Sequence, residues 1–207
     1  MKLFVTGIST DVGKTVASAI LVEALKADYW KPVQAGDLQN SDTHKVRALI
    51  SNSKSKFFEN SYNLNTAASP HFAAEIDGLE IDLDKIVAPM TENHLVIEGA
   101  GGILVPLNVT ASVVDLIQED YKTIIVSRHY LGSINHTLLT IEFLKSRKLP
   151  IAGIIFSGDE NKSTESIIAK RSGVKVIGRI EQEPYFDKNV IKEYADLFLP
   201  ILEMIIN

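Results

Sequence analysis

An α/β fold, with a mostly parallel central sheet and helices on both faces, is what this 207-residue sequence predicts. Three observations lead there. Short β-branched apolar runs alternate with stretches of helical periodicity; the runs are apolar at consecutive positions, as in strands buried on both faces; and the first run leads into a glycine-bearing loop and then an apolar-periodic segment.

Residues 3–6 make the first strand, and Gly7-Ile8-Ser9-Thr10-Asp11-Val12-Gly13-Lys14-Thr15 follows it directly. Strand, glycine-bearing turn and helix in that order form a phosphate-binding loop. Backbone N–H groups and the positive end of the helix face phosphate oxygens, Lys14 carries a mobile charge to the β/γ-phosphates, and the Thr15 hydroxyl can ligate Mg²⁺. Five residues rather than four separate Gly7 from Gly13, so the general G-x-x-x-x-G-K-[ST] pattern is missed, although its Gly-Lys-Thr end is intact. The class narrows to a P-loop NTPase-like α/β fold. A strand-to-helix turn without a ligand is the bland alternative.

A further strand covers residues 29–33, its ladder ending at or just before Pro32, because proline cannot serve a central strand. Residues 37–94 read as helix and loop on top of the sheet, with a polar stretch at 51–55 and a turn at Asp77-Gly78. Residues 95–98, 123–126, 151–156 and 174–180 supply the remaining strands. Ile134, Leu138, Ile141 and Leu144 have the spacing of one buried helix face and are expected in the core. No repeat or linker interrupts the chain, so residues 1–207 are expected to form one domain.

Composition bounds the function. Hydrophobic residues at 45% and charged residues at 23% suit a globular protein and not a disordered or fibrous one. A formal net charge of -5 argues against a nucleic-acid partner. The absence of cysteine removes disulfides, thiolate zinc sites and cysteine nucleophiles. No signal peptide precedes the first strand, and no apolar stretch reaches the roughly 18 residues of a bilayer span, the longest being broken by Pro200 and Glu203. A cytoplasmic protein with no membrane partner is expected.

In an open α/β sheet, ligands collect beyond the carboxyl ends of strands, and polar residues cluster there in this sequence. Glu98, in Glu98-Gly99-Ala100-Gly101-Gly102, can hold Mg²⁺ or can be a loop carboxylate bonded to backbone amides. Lys31, in Lys31-Pro32-Val33-Gln34-Ala35-Gly36, reads by itself as a solvated lysine. Asp42, in Asn40-Ser41-Asp42-Thr43, reads by itself as a helix cap. The five histidines, His44, His71, His94, His129 and His136, have no metal-ligand spacing, and none is assigned to catalysis.

As a set, these segments resemble the dethiobiotin synthetase family. The family pattern T-G-x-x-T-x-V-G-K-T matches Thr6 to Thr15, including the extra residue; K-P-V matches Lys31 to Val33; N-S-D matches Asn40 to Asp42. E-G-A-G-G with a following proline matches Glu98 to Gly102 and Pro106, and L-G-x-I-N-H matches Leu131 to His136. The resemblance covers most of the chain. It implies an ATP-dependent ligase of biotin biosynthesis: 7,8-diaminononanoate takes up CO₂ as a carbamate, the γ-phosphoryl group converts this to a carbamic-phosphoric anhydride, and the second amine closes the ureido ring, giving dethiobiotin, ADP and phosphate.

Carried over by position, the resemblance makes Lys14 and Lys31 catalytic, with Lys31 bridging carbamate and γ-phosphate. It makes Thr15, Asp42 and Glu98 the Mg²⁺ ligands. Asp11, Val12, Gly13, Lys14, Thr15 and Val16 would bind nucleotide with Asp42, Glu98, Gly99, Ala100 and Gly101, the last three lining the cavity with main chain. Thr10 and Lys31 would meet the diamine. Gly132, Ser133, Ile134 and Asn135 would receive its carboxylate tail across the interface of a homodimer. His71, in Ser69-Pro70-His71, also fits the family, either at the border of the substrate pocket or as a loop residue with a structural hydrogen bond.

Two departures bear on specificity. Ala35 stands where members often have serine, removing a hydroxyl contact with substrate. Ser157-Gly158-Asp159 replaces the usual Asn-Asp pair that reads adenine, and Glu181-Gln182-Glu183 itself lacks the common proline, with Pro184 coming only after it, so base selection is expected to be weak or differently built. A partition-type switch ATPase shares this fold, but usually carries a further lysine at the front of the loop, where this chain has Val5-Thr6-Gly7. An amide ligase of the cobyrinate type needs a cysteine-dependent glutaminase, which a cysteine-free chain of this length lacks. A non-catalytic nucleotide-binding module is the remaining alternative.

Overall fold

The computed structural model describes residues 1–206. Its strands are β1 (Lys2–Gly7), β2 (Asp28–Trp30), β3 (Val33–Ala35), β4 (Phe57–Phe58), β5 (Tyr62–Leu64), β6 (Leu95–Gly102), β7 (Tyr121–Arg128), β8 (Ile151–Ser157) and β9 (Val176–Ile180). The helices are α1 (Lys14–Leu25), α2 (Asp42–Leu49), α3 (Pro70–Ile76), α4 (Ser133–Ser146), α5 (Lys162–Ser172) and α6 (Lys188–Ile206). None of these helices is long and apolar enough to cross a membrane.

Seven strands form one sheet in the order β4-β2-β6-β1-β7-β8-β9, and every pairing in it is parallel. Parallel neighbours require crossovers, and those crossovers carry helices that cover the sheet; this is why Leu3, Phe4, Val5, Ile124, Ile125 and Val126 are buried at successive positions rather than alternate ones. The first strand lies at the centre, between two strands that come much later in the chain, so the order reverses at its carboxyl end. That crevice is where the phosphate loop leaves the sheet.

Helix α1 returns from the crevice beneath the sheet. Ala17, Ala19, Ile20, Leu21 and Val22 are all buried, so this helix is enclosed on every side rather than amphipathic. It packs against α6, whose Ile191, Tyr194, Ala195, Phe198 and Leu202 form a single apolar stripe.

Three features differ from the pattern-based expectation. The segment 37–94 holds strands as well as helices: β4 is the edge of the main sheet, and β5 pairs in parallel with β3 as a separate two-stranded unit. At two and three residues, these strands are too short to show periodicity. The expected strand 29–33 is divided at Lys31-Pro32 into β2 and β3, which belong to different sheets. On α4 the inward face is Ser133, Thr137, Thr140, Ile141 and Leu144; Ile134 is 38% exposed and Leu138 half-buried, so two of the four residues expected in the core are not there. Thr137 is held inward by hydroxyl contacts, donating to the Ser133 carbonyl at 2.6 Å and lying 2.8 Å from Ser127 Oγ.

Glu23 of α1 ties that helix to the segment after α2. Its carboxylate accepts from the N–H groups of Ser51 and Asn52 at 2.9 and 3.0 Å, from their side chains at 2.9 and 3.1 Å, and from Lys26 Nζ at 2.7 Å. Burial by itself would raise this carboxyl, but the donors more than reverse it and hold it down to about 2. Its stabilisation is therefore complete above the ordinary carboxyl range and is lost as pH falls toward 2. Glu23→Ala should lower the unfolding free energy at neutral pH by about 1–3 kcal/mol, because a buried, charged acceptor of several hydrogen bonds is lost between α1 and the segment after α2. Urea melts at pH 7 and pH 3 check this, and the difference between variant and parent should shrink at the lower pH.

Candidate active site

The phosphate loop begins where β1 ends, and its geometry selects its residues. A Cβ on Gly7 would lie 2.6 Å from both the Ser9 carbonyl and Val12 Cγ2, which leaves room only for glycine. Gly13, at φ 93°, turns the chain into α1 with no side-chain cap, so the first N–H groups of the helix have no side-chain cap partner. Lys14 folds back over the loop and donates to the Ser9 carbonyl at 3.2 Å. Its ammonium is pulled down to about 8, first by burial and then by the Lys31 ammonium, against the opposing pull of Glu98, Asp42 and Asp11.

Lys31 follows β2 immediately, at the carboxyl edge, and is only 4% exposed. Its Nζ lies 2.7 Å from Asp42 Oδ2 and 3.2 Å from Glu98 Oε1, and donates to the Gly99 carbonyl at 3.2 Å. Burial would lower this ammonium, but Glu98 and Asp42 outweigh burial and raise it, so Lys31 stays charged. Asp42 answers in kind: burial pushes it up, and Lys31 with the Thr15 hydroxyl brings it net down.

Two devices place these carboxylates. Ser41, not Asp42, caps α2: its hydroxyl accepts from the His44 N–H at 3.4 Å, and its own N–H donates to His44 Nδ1 at 3.2 Å. Asp42 is then the first helical residue, its N–H donates to Gln34 Oε1 at 3.2 Å, and its carboxylate is free to face Lys31 and Thr15. Glu98 lies within β6. Val5 of β1 pairs with Glu98 and Gly7 with Gly102, so two steps along β1 match four along β6, and the surplus backbone bulges at the site. Gly101 in that bulge has φ 65°.

Thr15 joins the two acids. Its Oγ1 is 3.1 Å from Asp42 Oδ1 and 3.0 Å from Glu98 Oε1. The far oxygen of Glu98 accepts from the Tyr29 phenol at 2.9 Å, and burial together with Glu98 and Asp42 pushes that phenol well above its ordinary value, keeping it a donor.

A cavity of about 830 Å³ gathers Thr10, Asp11, Val12, Gly13, Lys14, Thr15, Val16, Lys31, Asp42, Glu98, Ala100 and Gly101. Gly99 packs against the Phe4 ring and Val113, and its carbonyl accepts from Lys31, which lines the cavity. Gly132, Ser133, Ile134 and Asn135 line a separate groove of about 920 Å³ along α4. His71 is exposed and its N–H donates to the Pro106 carbonyl at 3.3 Å, away from the cavity lining. A smaller pocket of about 180 Å³ brings Ser157, Gly158, Glu181 and Gln182 against the loop at Val12, Gly13 and Val16. No cluster of three or more His, Cys, Asp or Glu forms a metal site among the described residues.

Tyr29 and Gln34 are the site residues that pattern reading passed over. Tyr29 stands two positions before Lys31, the spacing that puts side chains of extended chain on one face, and that was the available signal. Gln34 sits between two short apolar residues and offered none.

Known proteins resemble this chain over most of its length. The AAA domain family pattern matches residues 1–190. The chain is 63% identical over 195 residues to the ATP-dependent dethiobiotin synthetase BioD of Christiangramia forsetii, covering 94% of each protein. It is 51% identical over 196 residues to the protein of the same name from Cytophaga hutchinsonii, covering 94% of this chain and 95% of that one. Among solved structures, the cell division ATPase MinD of Pyrococcus furiosus superposes with a TM-score of 0.59 at 14% identity, over 99% of this chain and 98% of that one. A putative plasmid partition protein of Borrelia burgdorferi bound to AMPPNP gives 0.57 at 13% identity, over 98% of each chain. These structures show the shared fold, and the sequence relatives show more: the chain belongs to the dethiobiotin synthetase family.

Proposed function

We propose that this chain uses ATP to convert 7,8-diaminononanoate and CO₂ to dethiobiotin, with release of ADP and phosphate. The observation that carries the reading is the convergence of Lys14, Thr15, Lys31, Asp42 and Glu98 on one cavity at the carboxyl ends of β1, β2 and β6. Relatives at 63% and 51% identity bear the corresponding name.

The chemistry follows from what those side chains can do. One substrate amine attacks CO₂ and gives up a proton, leaving a carbamate. A carbamate oxygen is a poor leaving group until the γ-phosphoryl group is transferred to it with loss of ADP; the second amine then attacks the carbonyl carbon, the C–O bond breaks, and phosphate departs as the ring closes. Both amines belong to one molecule held in one cavity, so closure gains from proximity. Lys14 and the loop N–H groups hold phosphate oxygens, and Lys31, kept charged by two carboxylates, steadies carbamate and γ-phosphate together. Thr10 borders the diamine, and Asp11, Val12, Gly13 and Val16 border the nucleotide.

The donor set fits Mg²⁺. Thr15 Oγ1 is 3.1 Å from Asp42 Oδ1 and 3.0 Å from Glu98 Oε1, close to the roughly 2.9 Å between neighbouring ligands of an octahedral ion bound at about 2.0–2.1 Å, and all three donors are oxygens. Bound there, the ion would neutralise charge on the β- and γ-phosphate oxygens. Ser157, Gly158, Glu181 and Gln182 border the base without the usual adenine-reading pair, which supports broad use of nucleoside triphosphates. The groove at Gly132, Ser133, Ile134 and Asn135, rimmed by exposed Leu131 and by Leu139 at 60% exposure, supports a homodimer in which one copy's α4 start completes the other's substrate site.

The decisive assay supplies diamine, labelled bicarbonate, Mg²⁺ and nucleotide, and looks for label in an acid-stable ureido product. ATP, GTP and CTP should all support turnover; product from ATP alone would remove the broad-base reading. Lys14→Ala should reduce product formation by about 10²–10³-fold without loss of fold, and Lys31→Ala should do nearly the same with some loss of stability, because Asp42 and Glu98 lose their counter-charge. If Lys31→Ala weakens only nucleotide affinity, its bridging role fails. Because phosphate raises the Lys14 ammonium from about 8, nucleotide binding above that pH should take up protons and weaken as pH rises, which calorimetry in buffers of different ionisation enthalpy reads. In sedimentation runs, the parent should show twice the chain mass, and Leu139→Asp should shift it to the monomer.

A further inference from the structure

The two oxygens of the Glu98 carboxylate are held apart by different partners. Oε1 lies 3.0 Å from Thr15 Oγ1 and 3.2 Å from Lys31 Nζ, facing the cavity. Oε2 faces inward and accepts the Tyr29 phenol at 2.9 Å. Tyr29 is completely buried and Glu98 is 1% exposed, so no solvent competes for either group. They stand on adjacent parallel strands, where Tyr29 pairs with Val96 and the phenol reaches two residues up the sheet. The Tyr29 ring is packed beside Phe57, centroids 5.8 Å apart.

We propose that Tyr29 is a positioning residue that commits Glu98 to offering a single oxygen, Oε1, to the divalent cation of the nucleotide, and so favours Mg²⁺ over the larger Ca²⁺. This inference rests on the reading of Thr15, Asp42 and Glu98 as ligands of that cation. The reason is geometric. Mg²⁺ keeps a small octahedral shell and takes one oxygen from a carboxylate, whereas Ca²⁺ accepts six to eight oxygens and readily takes both. For Glu98 to bind through two oxygens, the carboxylate must turn and draw Oε2 from its inward seat, which weakens the bond from the buried phenol and opposes the Ca²⁺ mode. Groups behind a metal ligand commonly change metal affinity by about 10–100-fold, the range expected here.

The test titrates Mg²⁺ and Ca²⁺ by calorimetry into the full chain holding a non-hydrolysable ATP analogue, for the parent, Tyr29→Phe and Phe57→Leu, with thermal melts in parallel. Tyr29→Phe should weaken Mg²⁺ by about tenfold and Ca²⁺ by much less, shifting the preference toward Ca²⁺. Phe57→Leu loosens the ring but keeps the hydroxyl, and should leave the preference unchanged. An unchanged preference in Tyr29→Phe, including equal loss for both ions, overturns the inference; so does a shift in Phe57→Leu as large as in Tyr29→Phe. Should Tyr29→Phe fail to fold, a crystal of the parent with Mg²⁺ and the analogue decides: Oε1 toward the ion with Oε2 still on Tyr29 upholds the assignment, and Oε2 on the ion overturns it. A parent that binds neither ion with the analogue would instead overturn the nucleotide reading, and this inference with it.

Discussion

Burial of like charges beside their counter-charges is the constraint from which the rest of this molecule follows. Asp42 and Glu98 come from elements far apart in sequence, and neither could be held in a largely dry crevice without compensation. Lys31 supplies it by standing between them at 2.7 and 3.2 Å, and the two carboxylates in turn keep its ammonium charged. The surrounding architecture serves that arrangement. The carboxyl ends of β2 and β6 set the spacing, the bulge in β6 frees the Gly99 carbonyl, and the Ser41 cap lets Asp42 turn inward.

What the sequence disclosed divides along the line between local and distant relations. The phosphate loop was legible because strand, turn, lysine and threonine are contiguous, and local sterics at Gly7 and Gly13 dictate them. Lys31, Asp42 and Glu98 were each ambiguous in isolation, since a solvated lysine, a helix cap and a loop carboxylate use the same residue types. Only the family resemblance joined them, and the cluster they form is a product of strand order. The assignment of Ile134 and Leu138 to the core failed for a different reason. An apolar stripe facing a groove has the same periodicity as one facing a sheet, and the Thr137 hydroxyl disguises the true inward face by bonding to the Ser133 carbonyl and to Ser127.

The likeness to division and partition ATPases at 12–14% identity separates scaffold from chemistry. A common parallel sheet with its crevice at the first strand can be kept while nearly every side chain changes. In this chain, Lys31, Asp42 and Glu98 gather around that crevice, with the Tyr29 phenol behind Glu98. The pocket beside Ser157 and Glu181 is separate from that cluster.

Enclosure of α1 has a mechanical consequence. The helix that bears Lys14 and Thr15 is wedged between sheet and α6, and Glu23 pins its far half to the segment after α2. An anchor so confined cannot swing aside to admit or discharge a ligand. The opposite wall of the cavity is built differently, from the short β3 segment and the chain around Ala67 to Pro70, joined by the β3–β5 ladder, by the packing of α3 and by the bond from the His71 N–H to the Pro106 carbonyl. The floor of the chamber is fixed by packing on both sides.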